Sequence, residues 1–279
     1  MAKLVIGCGY LGGRVAGQWL SQGHEVYATT RSERRADELR HLGVKPVRYD
    51  VLDLASLPPL PRADTVVHSI ALDRTSGRTM RDLYVGGLTN LLSLLPKPRR
   101  FLYVGSTGVY GQEDGGRVDE DSATEPKDAS GKVVLEAEQA LRQMFPEAVV
   151  LRFAGIYGPG RILREQAIRQ GEPIAGDPDR WLNLIHVEDG AGAVLAAEAN
   201  GQAGETYNVS DGHPVRRREF YSTLARLLGA PEPRFVPPEG NASHERANRR
   251  IGNRRLMEDL GLPLRYRSYE VGLVESLTG

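Results

Sequence analysis

The sequence predicts an α/β protein built on a doubly wound parallel sheet, with a smaller C-terminal lobe for substrate. Three observations carry that prediction. The first is the opening dozen residues. A short apolar run, Leu4 to Ile6, passes directly into Gly7, Cys8, Gly9, Tyr10, Leu11, Gly12 and then a helix-like stretch through Val15, Ala16, Trp19 and Leu20. Strand, glycine turn and helix with G-x-G-x-x-G at the join suits a dinucleotide pyrophosphate. One glycine makes the tight turn, one lets the backbone approach the phosphates, and one lets helix pack on strand. The N–H groups opening the helix then face the anion. The second observation is a pair of near-continuous apolar runs, Thr65 to Ala71 (TVVHSIA) and Arg100 to Ser106 (RFLYVGS), as central parallel strands covered on both faces require. The third is the count of strands, five before residue 110, each separated from the next by a helical or loop crossover.

In order along the chain, Gly23 stops the first helix and His24 to Thr30 reads as the second strand. An acid near the end of this strand would hold a ribose 2′-OH. None is there; Thr30, Arg31 and Ser32 follow, with Arg34 and Arg35 behind. A guanidinium pairs with a 2′-phosphate, which an acid would repel, so NADP is expected over NAD. The alternative is a solvated basic helix start. Lys45 to Tyr49 is a third strand ending in Asp50, and the prolines around Leu60 mark a surface loop. Met80 to Leu95 has helical spacing and stops at Pro96. The strand 100–106 releases Ser106 to Gly111 at the carboxyl edge of the sheet, where ligands of open α/β sheets bind. Lys132 to Met144 is an amphipathic helix and Ala148 to Phe153 a sixth strand. Beyond Phe153 glycines and prolines cluster; Leu182 to Val187 and Thr206 to Val209 read as strands, Gly190 to Ala199 and Arg217 to Leu228 as helices. Residues 1–153 are therefore read as the dinucleotide-binding domain and 154–279 as a substrate lobe interleaved with late elements of the sheet.

Thirty-six bases balance 36 acids in 279 residues, which points away from nucleic acid and membrane surfaces. The lone cysteine, Cys8, excludes an internal disulfide and a cysteine-built metal site. No charged-then-apolar leader precedes the glycine motif, and no apolar run reaches the ~20 residues that span a bilayer. A cytoplasmic protein with a small-molecule substrate and no metal is expected, with a homodimer left open.

Eight stretches then resemble a known family in its own order, among them GCGYLG, VVHSIA, GGLTNLL, GSTGVYG, LRFAGIYGPGR and LIHVEDGAGAV. The chain resembles the short-chain dehydrogenase/reductases, in the extended form of sugar-nucleotide epimerases, dehydratases and reductases. Ile6 stands where that form's T-G-x-x-G-x-x-G has its first glycine, so the likeness is to the atypical subgroup related to NAD(P)-dependent epimerase/dehydratases. The resemblance implies a dinucleotide held by Gly7, Gly9, Tyr10, Leu11, Gly12 and Arg31, with Asp50 near the adenine. It also implies a Tyr and, four residues later, a Lys that lowers the Tyr pKa for proton transfer during hydride exchange. Placing the acid that usually follows on Glu138 puts Ser130 at the tyrosine position and Val134 at the lysine position. Neither performs that proton work. Lys132 is turned about 200° from the lysine position on a helix.

Ser106 matches the remaining member, either hydrogen-bonding a substrate carbonyl or hydroxyl or capping its own strand end. Tyr110 and Tyr157 are the other catalytic candidates, as the tyrosines nearest the sheet's carboxyl edge. His186 and Asp189 fall in a strand-to-helix turn, where His186 is a structural bridge between the two lobes before a group that titrates near neutrality. Cys8, between turn glycines, is a packing residue or a thiol of lowered pKa. Arg216, Arg217, Arg218 and the cluster Arg246, Arg249, Arg250, Arg254, Arg255 either meet a substrate diphosphate, as the resemblance suggests, or are solvated. The expected activity is an NADP-dependent oxidoreductase or epimerase-like reaction on a hydroxyl or carbonyl. The rival is a dinucleotide-binding sensor or interaction protein without turnover, which the missing pair favours.

Overall fold

The structure, a computed structural model, describes residues 1–53, 58–73, 75–237 and 247–278. Arg246, singled out above, lies outside the described residues. Strands Ala2–Ile6 (β1), Glu25–Thr30 (β2), Lys45–Arg48 (β3), Thr65–His68 (β4) and Arg100–Ser106 (β5) join Val149–Phe153 and Thr206–Val209 in one sheet. The spatial order is β3-β2-β1-β4-β5, then 149–153 and 206–209, and every neighbouring pair is parallel. Chain order reverses between β1 and β4, so the crevice beyond their carboxyl ends is the topological switch point of the sheet. Leu4, Val5, Ile6, Val66 and Val67 are buried, which is why these strands read as unbroken apolar runs. Each such side chain contributes about 1.5–3 kcal/mol by leaving water.

Helix Tyr10–Ser21 (α1) follows β1 at once and buries Leu11, Val15, Ala16 and Trp19, a stripe of helical period, against the helix Val187–Asn200. Helix Glu33–His41 (α2) starts where the Ser32 hydroxyl accepts the Arg35 N–H at 3.3 Å. The opposite face of the sheet is covered by helices Gly87–Leu94 (α3) and Ala129–Met144 (α4). Asp128 caps α4 by accepting the Gly131 N–H at 2.8 Å.

Three expected elements differ in detail. The helix expected over 80–95 opens with a π-helical turn, Asp82–Gly86, ahead of α3. A Cβ on Gly87, where the π turn passes into α3, would stand 2.6 Å from Val51 Cγ2, so the helix comes close to the loop after β3 there. The strand expected over 65–71 stops at His68, because the chain then packs on the glycine loop: a Cβ on Gly7 would lie 2.7 Å from the Ile70 nitrogen. The strand expected over 182–187 breaks at Asn183, whose side chain donates to Arg249 O at 2.9 Å and accepts the Ile251 N–H at 2.7 Å.

Beyond Phe153 the chain alternates between the sheet and a second cluster. Strand 206–209 and helix 187–200 belong to the sheet and its cover. Tyr157, Leu184, Phe220, Leu224 and Leu273 pack around the helices Arg217–Leu228 and Tyr269–Thr278 as a separate core. Strand Arg250–Ile251, which the sequence reading did not include, pairs with Arg117–Val118 and brings the preceding Arg249 to the turn after β5. No described helix is long and apolar enough to cross a membrane.

Candidate functional site

A groove of about 430 Å³ runs across the switch point, from the end of β3 past the glycine loop to the end of β5 and α4, within the ~300–1,000 Å³ of small-molecule sites. Its floor is the glycine loop. Gly7 has φ +88°, which favours glycine, and a Cβ on Gly12 would meet Gly7 O at 2.6 Å and Val5 Cγ1 at 2.9 Å, so these two shape the turn and the packing of α1 on β1. Gly9 is different: a Cβ there would meet nothing within 4 Å. The residue is exposed, opens α1, and no side chain caps that helix start. Open space before an uncapped helix N-terminus fits a pyrophosphate and its charge.

At the end of the groove beyond β2 and β3, cations and acids alternate. Arg31 lies 3.8 Å from Asp73, both about half exposed. Arg35 reaches from α2 to donate to Cys8 O at 3.2 Å, tying that helix to the glycine loop. Asp50 accepts two bonds from the Arg78 guanidinium, one at 2.8 Å, and the Leu52 N–H at 3.1 Å. The Arg78 pairing holds its carboxyl below the usual range. Tyr10 donates its phenol proton to Pro159 O at 3.0 Å, with Arg14 and Arg161 over its ring, and Leu11 lines the same floor. Cys8 is buried, and burial pushes its thiol up despite Arg35, in line with a packing residue.

At the other end, Ser106 and Val134 both line the groove. The Ser106 hydroxyl accepts the Gly108 N–H at 3.0 Å, capping the turn Thr107–Val109. Tyr84, carried by the π-helical turn, lines the wall and packs against the apolar cluster that includes Val134; its hydroxyl accepts the Leu72 N–H at 3.0 Å. Below lies His68, stacked on Tyr103 with ring centroids 5.3 Å apart. Both His68 nitrogens lack a partner among the described residues, and burial pushes its pKa down to about 4.

Residues 4–210 match the model of the NAD dependent epimerase/dehydratase family. The chain belongs to that family. It is 28% identical over 275 residues to protein YeeZ of Escherichia coli K12, covering 94% of this chain and 95% of YeeZ. A functionally unknown conserved protein from Silicibacter pomeroyi superposes with TM-score 0.82 at 29% identity, over 99% of this chain and 98% of the other. A dTDP-glucose 4,6-dehydratase from Streptomyces venezuelae with NAD bound shares the fold, with TM-score 0.84 at 22% identity, over 100% of this chain and 96% of that one.

Against this family's epimerase-type chemistry the expected proton donors need correction. Tyr110 is 1% exposed and faces away from the groove: its hydroxyl accepts from Arg152 at 3.0 Å and donates to Asn208 at 2.9 Å. Arg152 in turn chelates Glu138, at 2.6 and 3.2 Å, all of it buried. Tyr157 is fully buried in the second core, and burial raises its pKa steeply. A Cβ on Gly272 would overlap its hydroxyl, so helix 269–278 seals it in. Neither phenol lines the groove. Ser130 and Lys132 are exposed at the start of α4, while Val134 turns inward.

The remaining candidates are built into the fold. His186 Nδ1 accepts the Glu188 N–H at 3.3 Å, its ring stacks on Tyr266, and Nε2 meets Ser276 at 3.3 Å. Asp189 accepts the N–H groups of Arg265 and Tyr266 at 2.9 and 2.8 Å. Arg216 stacks on Trp181, Arg218 pairs with Asp179, Arg254 with Glu258, and Arg255 with Asp121 and Glu205. Arg250 donates to Gly115 O, and Arg217 has its own partners. Arg249 donates to Thr107 O at 2.9 Å, in the turn that follows β5. The sequence reading missed Asp73, Arg78 and Tyr84 because they reach the groove from loops and a π turn. Only their spacing from the apolar run TVVHSIA hinted at that position.

Proposed function

We propose that the groove holds NADP and that the protein is an oxidoreductase or epimerase-like enzyme acting on a hydroxyl or carbonyl of a small polar, nucleotide-sugar-like substrate without a Tyr-x-x-x-Lys pair. The observation that carries this reading is one continuous groove with an uncapped helix start at Gly9, guanidinium groups at Arg31 and Arg35, and Ser106 at its far end. A bound nicotinamide dinucleotide supplies hydride exchange. Ser106, whose oxygen already accepts from Gly108, keeps its proton to donate to a substrate oxygen. Tyr84 is the phenol placed for proton transfer: it lines the groove and its oxygen accepts the Leu72 N–H. With valine at position 134, the ammonium group of a Tyr-x-x-x-Lys pair is absent. As a proton donor Tyr84 would serve carbonyl reduction. The division at residue 153 is part of the same reading, with residues 154–279 supplying the substrate side.

NADPH oxidation followed by absorbance over a panel of nucleotide-sugar and small carbonyl compounds tests it. Turnover that falls about 10²-fold or more in Tyr84→Phe, and also in Ser106→Ala, with unchanged NADPH affinity, is the expected result. Saturable NADPH binding with no turnover across the panel favours the rival, a dinucleotide-binding sensor, a reading to which the exposed Ser130 and inward Val134 already lend weight.

A further inference from the structure

A carboxylate from elsewhere in the chain stands beside Arg31 at the end of β2. Asp73 follows β4, yet its Oδ2 stands 3.8 Å from Arg31, and both residues line the groove. Its own turn holds it there: Oδ1 accepts the Thr75 N–H at 3.0 Å and the Thr75 hydroxyl at 2.7 Å, which leaves Oδ2 for the guanidinium. Five residues on, Arg78 grips Asp50 at the end of β3. The segment between β4 and the π turn is thus clasped to the ends of both β2 and β3 through the two residues expected to meet the adenosine half of the dinucleotide.

We propose that Asp73 is a specificity-determining residue for the dinucleotide, a carboxylate that competes with a ribose 2′-phosphate for Arg31 and so lowers NADPH affinity while leaving NADH affinity unchanged. This rests on the NADP reading above. A half-exposed ion pair at 3.8 Å is weak and yields readily to a phosphate, which pairs with guanidinium bidentately. Once displaced, the carboxylate remains tethered by Thr75 beside the incoming dianion, and like charges repel. A ribose bearing a 2′-hydroxyl leaves the pair intact. The chain then carries both signs at one position, and the dinucleotide preference is the difference between them.

The test is fluorescence titration of NADPH and NADH against wild type, Asp73→Asn, Arg31→Ala and the double variant. Asparagine keeps the amide oxygen that Thr75 needs and removes only the charge. Asp73→Asn is expected to bind NADPH about three- to tenfold more tightly, to leave NADH within about twofold, and to gain less in the Arg31→Ala background. The gain shrinks in high salt, since the groups are half exposed. Unchanged NADPH affinity in Asp73→Asn, with wild type preferring NADPH through Arg31, overturns the role of Asp73 alone. Weakened NADH binding in Asp73→Asn also overturns it, by making Asp73 a ribose-hydroxyl acceptor. Equal wild-type affinities that Arg31→Ala leaves untouched, or no binding of either dinucleotide, overturn the cofactor reading instead.

Discussion

The wall of the groove and the region buried behind β5 both hold polar side chains and use them in opposite ways. Around the glycine loop the polar groups face outward: Gly9 is exposed, α1 is uncapped, and Arg31, Asp50, Asp73 and Arg78 sit in the groove wall. Behind β5 the groups face one another. Glu138, Arg152, Tyr110 and Asn208 are joined in a buried chain of hydrogen bonds, and Tyr157 is shut into the second core. A residue type that suits catalysis is therefore no guide by itself; what counts is whether folding has already buried it or consumed its hydrogen bonds.

That contrast can be broken by substitution. The largest effect is expected at Glu138→Ala, which strands the Arg152 charge in a buried site and should cost about 3–5 kcal/mol in urea unfolding while leaving NADPH affinity unchanged. A loss below 1 kcal/mol would mean the chain of bonds is not formed. Next, Tyr110→Phe should cost about 1–3 kcal/mol through the unpaired Arg152 and Asn208 groups it leaves, again without touching turnover. A selective loss of turnover would return Tyr110 to the reaction.

A pH series sharpens the comparison further. Burial pushes Asp211 up to about 7 and His68 down to about 4. The native state holds the Asp211 proton that the unfolded chain releases, so this group makes stability fall as pH rises from about 4 to about 7. His68 acts oppositely: the unfolded chain takes up a proton that the native state refuses, so its contribution is lost as pH falls from about 6.5 toward 4. The two offset each other in wild type. Asp211→Asn should therefore uncover a stability that rises with pH over this interval, by up to on the order of 1.4 kcal/mol per pH unit. A flat profile in that variant would remove one of the two assignments.

How much of this was legible in the sequence follows from the range of the interactions. The glycine loop and strands β1 to β5 are local patterns, and their order in the chain predicts the doubly wound sheet. The family resemblance put Val134 at the lysine position, and Val134 lines the groove. The partners of the arginines were not legible, because Arg31 meets Asp73 from 42 residues away. Nor was the burial of Tyr110, since its bonds to Arg152 and Asn208 close only when strands 149–153 and 206–209 join β5 in the sheet.

The central claim is that the open end of the groove is a dinucleotide site built on Gly9 rather than a structural βα turn. Titration of NADPH fluorescence against wild type and Gly9→Val, with thermal unfolding of both, tests it most directly. Because a Cβ at Gly9 meets no protein atom within 4 Å, the variant should melt within a few degrees of wild type, yet lose saturable NADPH binding by at least about tenfold. Undiminished affinity in Gly9→Val, or a wild type that shows no saturable binding, would contradict the account.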